Sequence, residues 1–241
     1  MPHRLLRVSS KDRSVESKSK YNFTFNTNDD DLHQVKSVIL KSAIIPNTQY
    51  NVNDTNNVLT YRQGGVPVSV ELMQGQYSIS SFITSMQILC APIGLTIVQH
   101  EITKKLLLGT TTAIQWLNIK LNPMAIILGI EEDTVEDVMV YTPSAIPNLR
   151  GLQHLYIASN MLSSNTSMVT EDSHKINVFA DITINVPFGA VQIVDNDSKT
   201  LDRTDFGSKK NIISIDIRLL DVHNRVIDLN GHDFTLIFVV I

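Results

Sequence analysis

The sequence predicts an all-β protein: a single jelly-roll sandwich of two antiparallel sheets with one or two short helices. Three observations predict it. The C-terminal segment alternates with a period of two, Ile213, Ile215, Ile217 and Leu219 against Ser214, Asp216, Arg218 and Leu220, which is the pattern of a strand with one face in a core. Short alternating runs recur along the chain between Asn, Asp, Gly and Pro turns, at the spacing of a sandwich or barrel. The last run is apolar on both faces, with Phe234, Leu236, Phe238 and Val240 on one and Ile237, Val239 and Ile241 on the other. Such a strand needs cover on both sides. One cover is the protein's own core, and the other is a second layer or another subunit.

The elements follow in order. Residues 1–20 are polar and basic-leaning, with Arg4, Arg7, Lys11 and Arg13 among interleaved serines. They are expected to form an extended arm outside the jelly-roll domain of residues 21–241, with a short strand at 5–8. Tyr21, Phe23 and Phe25 alternate with polar residues, a half-buried strand. Residues 34–45 form a long apolar-rich run closed by Pro46-Asn47. Gly64-Gly65 joins the runs 58–61 and 66–72 into a hairpin. A helix starts at Ser78 or Ser80 and runs to about Leu89, because Ile79, Phe82, Ile83, Met86 and Leu89 recur at spacings of three and four. Pro92 and Gly94 end it. Short strands are expected at 95–98, 105–108 and 113–117, then a short helix over 122–129 closed by Gly129. Glu131, Glu132, Asp133, Glu136 and Asp137 form an acidic loop. Strands at 154–159, 176–186 and 190–194 follow, with polar loops at 160–173 and 195–210 before the terminal strands. The expected body is undivided, since no linker composition cuts the chain.

Whole-chain properties narrow the function classes. The chain has 241 residues with 43% hydrophobic and 18% charged, so it can build a core. A formal net charge of −4 argues against a dedicated nucleic-acid surface. One cysteine, Cys90, permits no disulfide within the chain and suits a reducing compartment. Arg4 and Arg7 flank only Leu5 and Leu6, so the signal-peptide pattern is not met. No apolar run approaches the roughly 20 residues of a membrane helix.

No catalytic constellation emerges. Seven histidines are scattered without a His-x-His pair. His223 and His232 lie near Asp221, Asp228 and Asp233, where turn-forming duty is the simpler reading. Asp195, Asp197, Asp202 and Asp205 resemble a calcium loop, but lack the sharp-turn glycine and the closing glutamate. Cys90, at the end of the apolar helix, reads as a structural thiol. There is no nucleophile elbow and no phosphate-binding glycine loop. The expectation is a protein without cofactor, metal or enzymatic activity.

Several segments, in order, resemble one family. LRVSSKDR-like residues 5–13 run into YNFTFN (21–26). IIPNTQYNVNDTNN (44–57) and MQGQYSISSFITSMQ (73–87) follow, and LLDVHNRVIDLNGHDFTLIFVV (219–240) closes the series. This succession resembles the minor capsid, or penton, proteins of virophages, polinton-like elements and related large DNA viruses; residues 106–172 have no counterpart. The resemblance implies a structural protein of the virion, assembled inside the host cell. Five copies of a single jelly roll would close each fivefold vertex, surrounded by the major capsid protein. It carries over no catalytic residue and places the arm on the inner, capsid-facing side.

Ring closure needs two different complementary patches on one subunit. Ile237, Val239 and Ile241 are the candidates for one of them; burial inside the sandwich is an equal alternative. Arg4, Arg7, Lys11 and Arg13 are candidates for contact with neighbouring capsid protein. So few charges would hold DNA only weakly and in a salt-dependent way. The arm is expected to be removable without unfolding the domain, though at the expense of incorporation into shells. The two polar loops are candidates for the outer surface and for a fibre or host receptor. The rival readings are a jelly-roll carbohydrate- or receptor-binding module, poorly supplied with aromatics because Trp116 is the sole tryptophan, and a cupin-type metalloenzyme.

Overall fold

The computed structural model describes residues 3–27, 32–117, 124–132, 134–162, 167–169, 175–196 and 202–241. Its strands are β1 (Arg4–Ser9), β2 (Asn22–Asn26), β3 (Val35–Pro46), β4 (Val58–Gln63), β5 (Val66–Glu71), β6 (Leu95–Gln99), β7 (Leu106–Leu117) and β8 (Thr134–Tyr141). They continue with β9 (His154–Ala158), β10 (Ser167–Val169), β11 (Lys175–Thr183), β12 (Val191–Asp195), β13 (Arg203–Lys210), β14 (Ser214–Leu220) and β15 (Thr235–Val240). The α-helices are α1 (Ile79–Cys90) and α2 (Ala125–Leu128). The fold class is therefore all-β and antiparallel, as the alternation predicts.

The chain forms two compact units, residues 1–49 with 152–241, and residues 50–151 inserted between them. Where the sequence suggests one body over 21–241, the structure has a second core of its own. In the larger unit two five-stranded sheets face each other. One has the order β1-β15-β3-β12, with β13 also on β3; the other has the order β10-β11-β9-β14-β2. The connections β2 to β3, β11 to β12, β13 to β14 and β14 to β15 each change sheet, the habit of a jelly-roll-like sandwich. The inward residues meet in one core. Phe238 of β15 packs on Phe179 of β11 at 5.8 Å between ring centroids, and Phe234 packs on Phe23 of β2 at 5.8 Å. Val38, Leu40, Ile215, Ile217, Leu219 and Leu236 are fully buried around them. Each such side chain contributes about 1.5–3 kcal/mol relative to exposure. Ile213, expected in the same stripe, precedes β14 and is 67% exposed.

Residues 3–20, the described part of the expected arm, do not stand free. β1 pairs with β15 over six residues, from Arg4 opposite Val240 to Ser9 opposite Thr235. Val8 is fully buried in the core. Ser10 N–H donates to the Phe234 carbonyl (3.1 Å), and its hydroxyl donates to Asp233 Oδ1 (2.8 Å). The chain then crosses to the other sheet and covers the open edge of β2. Ser14 N–H donates to Thr24 O (2.9 Å), Ser19 N–H to Asn22 O (3.1 Å), and Thr24 N–H to Ser17 Oγ (3.1 Å). Those serines, whose composition reads as a tail, satisfy an otherwise unpaired strand edge. Lys20 closes the segment, donating to the Gly231 carbonyl (2.8 Å) and lying 3.4 Å from Asp233 Oδ1.

Residues 195–210, expected to be a polar loop, contain β13. Arg203 to Asp205 pair with Ile39 to Ser37 of β3, and Thr204 and Phe206 are buried. Arg203 and Asp205 alternate with buried Thr204 and Phe206, and the exposed run from Gly207 to Lys210 hides that period. The Asp195–Asp205 series is not a shared site among the described residues. Arg203 grips Asp205 at 2.6 Å and Asn196 reaches Asp202 at 3.2 Å, while Asp197 lies outside the described residues. Much of the expected loop 160–173 also lies outside them.

In the inserted unit, β5-β4-β7-β6, with β8 also on β7, form the third sheet. Gly64 and Gly65 turn the β4–β5 hairpin at φ +56° and +82°, a pair of conformations that side chains resist. Ser78 caps α1 through a reciprocal bond with Ser81, and Phe82, Met86 and Cys90 bury its inner face. Gly129 ends α2 at φ +78°. The expected strands 105–108 and 113–117 are one strand, β7. Asn51, 4% exposed, ties the two ends of the unit together. Its amide donates to the carbonyls of Tyr77 and Leu149, both at 2.8 Å, and accepts from Tyr77 N–H at 2.9 Å.

Three outcomes are expected. Deleting residues 1–20 removes the β1 edge and the β2 cover, so the larger unit loses its cooperative thermal transition by circular dichroism. Asn51→Leu leaves three backbone groups unpartnered and costs roughly 2–4 kcal/mol in urea denaturation. Burial alone would raise the Asp233 carboxyl, but the Ser10 hydroxyl and the Lys20 ammonium outweigh it and hold it below the usual carboxylate range. A group whose folded value is depressed contributes fully at neutral pH and loses that contribution as pH falls through the folded value. The stability gap between wild type and Asp233→Asn is therefore expected at pH 7, to begin closing near pH of about 4 and to vanish below it, in urea titrations across pH.

Candidate functional site: the outward face of the β1–β15–β3–β12 sheet

The two sheets of the larger unit turn very different faces outward. On the β10-β11-β9-β14-β2 sheet the outward residues open to solvent are largely polar, among them Asn22 and Thr24 of β2, Asp216 and Arg218 of β14, His154 of β9, and Asp181 and Thr183 of β11, while Ala158, Val178 and Leu220 on the same side are buried in a small cluster against Tyr156. His154 Nδ1 lies 3.2 Å from Asp181 Oδ1. Such a face is at home in water.

The other sheet is different. Its registers set three outward rows across the strands. Leu5 of β1 lies beside Val239 of β15, Ile39 of β3 and Arg203 of β13. Arg7 lies beside Ile237, Ser42 and Asp195 of β12. Ser9 lies beside Thr235, Ile44 and Ile193. A β-bulge in β3 opposite Ile237 and Phe238 inserts Lys41, which is exposed beside Ser42. Leu5 is 67% exposed and Ile193 64%, while Ile39, Ile237, Val239 and Ile241 are half-buried by each other. The outcome is a mixed strip: Leu5, Ile39, Val239, Ile237, Ile44 and Ile193 supply its apolar half, with Arg7, Lys41, Ser42, Asp195 and Arg203 set among them. Strips of this kind mark association surfaces.

The sequence candidates divide accordingly. Arg7, Ile237 and Val239 lie on the strip, and half-buried Ile241 continues their phase past the end of β15. Arg4 shares the phase of Leu6 and Val8 at the strand end, opposite Val240. Lys11 is exposed in the turn after β1, and Arg13 donates to the Ser10 carbonyl (3.0 Å), so it closes that turn. Sequence reasoning missed Leu5, Ile39, Ile44 and Ile193. The signal existed for two of them: 34–45 is apolar in both phases, the same criterion that singles out 234–241.

The remaining polar clusters have structural duties. A cleft of about 770 Å³ is lined by Thr24, Asn160, Asp205, Phe206, Lys210 and Asp216 among others. Asp216 is occupied there by Ser159 Oγ (3.1 Å) and by the backbone N–H groups of Asn160 and Met161. Lys210 stands over the Phe206 ring at 5.1 Å. Asp221 accepts from the backbone of His223 and Arg225 and pairs with the Arg225 guanidinium at 2.7 Å. Asp228 accepts from Asn230 N–H at 2.8 Å. These are the turn duties expected of that segment. Cys90 is buried, and burial pushes its thiol up to about 11, away from a thiolate. Trp116 lies on β7; its side chain is outside the described residues. No helix among the described residues is long and apolar enough to cross a membrane.

No protein-family model matches the chain, and no curated protein sequence matches it. Among solved structures, it is similar to the crystal structure of the selenomethionine-labelled mavirus penton protein, at 10% sequence identity and a TM-score of 0.46, over 100% of this chain and 99% of that one. The likeness is one of strand arrangement, and no residue role is carried across from it.

Proposed function

We propose that this chain is a structural capsid protein of the penton type, which forms a homopentamer at the fivefold vertices of an icosahedral shell and contacts the major capsid protein there. The reading makes it a virion component, assembled inside the host cell, whose work is docking and not catalysis. The observation that carries it is the exposed apolar side chains of the β1-β15-β3-β12 sheet's outward strip, Leu5, Ile44 and Ile193 above all, on a sandwich whose opposite outer face keeps its apolar residues Ala158, Val178 and Leu220 buried. A two-layer sandwich buries its core between its sheets and has no internal need for a dry outer face. The ordered segments 5–13, 21–26, 44–57, 73–87 and 219–240 support the same reading through their resemblance to penton proteins. Of the interface candidates, Arg7, Ile237, Val239 and Ile241 belong to the proposed contact. Arg4 and Lys11 flank it, and Arg13 serves its own turn.

The reading is tested by the oligomeric state of the full chain. Mass photometry across a concentration series, alone and with the major capsid protein, is expected to show pentamers or vertex-like rings. Leu5→Asp and Ile193→Asp change exposed side chains, so circular dichroism should stay native. Their self-association is expected to weaken by about tenfold or more, as for charges placed in an apolar contact. A wild-type chain that stays monomeric under every condition would refute the assignment.

A further inference from the structure

Two features of the strip say what covers it. The first is its charge. Arg203 is bound to Asp205, which leaves Arg7 and Lys41 against Asp195, and neither cation forms an ion pair with a described residue. The second is where Lys41 lies. It stands on β3, an inner strand of the sheet, amid the apolar side chains. Two copies packed face to face about a twofold axis through the middle of β3 would turn their Lys41 ammonium groups toward each other across a gap of roughly 10 Å, with water excluded. Like charges in that setting oppose association. The strip suits a partner that sets carboxylates among exposed apolar residues.

The inserted unit carries such a surface. Ile126 on α2 is 63% exposed and Ile146 is 56% exposed. They are held near each other because Gly129 N–H donates to Ile126 O and Ala145 N–H donates to Gly129 O (2.9 Å). The approach there is so close that a side chain at Gly129 would clash with the Ala145 carbonyl. Glu131 lies at the edge of this patch, accepting from Ser144 Oγ at 3.4 Å, and Glu132 accepts from the Tyr141 hydroxyl. Residues 125–149 contain five acids (Glu131, Glu132, Asp133, Glu136 and Asp137) and no Lys or Arg.

We propose that the outward strip of one copy docks on the Ile126–Ile146 surface of a second copy, with Lys41 and Arg7 facing Glu131. This rests on the self-assembly reading above and names its two surfaces. A contact of this kind is heterologous: each copy keeps one patch free for the next, which is what a closed ring requires. Face-to-face pairing would stop at two copies.

Charge reversal tests it in the full chain. Lys41→Glu and Glu131→Lys are each expected to weaken self-association on the order of tenfold in a mass-photometry titration. The double variant Lys41→Glu with Glu131→Lys is expected to restore it. An equimolar mixture of the two single variants should form only alternating assemblies, hence even-numbered ones. Glu131 is chosen because Glu132, which holds Tyr141, stays intact; Ile126→Asp, also on an exposed side chain, is expected to weaken association without any reversal of an existing charge. Weakening by both single variants with no rescue, or no effect of Glu131→Lys and Ile126→Asp, would overturn this pairing while self-assembly stood. A wild-type chain that never self-associates would overturn both.

Discussion

The larger unit is organised around β15. This strand lies between β1 and β3, so its backbone is paired on both edges, and Leu236, Phe238 and Val240 fill the space between the sheets. Its neighbours follow from it. β1 has a place in the sheet only because β15 offers a pairing edge, and the chain before residue 20 is led across to β2 only because β1 is anchored. The constraint also propagates outward. A strand that must be inner and must pair on both sides holds Ile237 and Val239 in one phase, and the registers with β1 and β3 then line up Leu5, Ile39 and Ile44 beside them.

Charge and bulge geometry make that surface selective as well as apolar. The bulge sets two consecutive polar residues, Lys41 and Ser42, between outward Ile39 and Ile44, so a lysine stands near the middle of an inner strand. A charge in that position opposes indiscriminate sticking and favours a partner with matching carboxylates. The edge strand is guarded in the same spirit, since Arg4 and Arg7 of β1 discourage an open row of backbone groups from recruiting stray strands.

Much of this was legible in the residues, and the exceptions have physical causes. The fold class followed from a side-chain period that survives any register. The α1 cap and the Gly64-Gly65 hairpin followed from local chemistry, Ser78 and a pair of glycines with positive φ. What composition could not show was long-range partnership. Ser10, Ser14, Ser17 and Ser19 look like a tail because serine-rich segments usually remain in water, whereas here they are consumed by a strand edge distant in sequence. β13 looked like a loop because Asp205, Lys209 and Lys210 dominate its composition, while Thr204 and Phe206 hold it inward. The apolar strip was half legible, since a doubly apolar strand announces a second cover and the neighbours that complete the patch are known only from register.

The knot at Asn51 has a consequence of a different kind. Residues 51 and 151 lie side by side, so that a methyl group added at Gly151 would stand 3.4 Å from the Asn51 Cβ. Seen from β3 and β9, a hundred-residue excursion therefore spans no more space than a tight loop would. Selection is then free to lengthen, shorten or exchange the excursion while the host sandwich keeps its registers, so the two units can diverge at different rates within one gene.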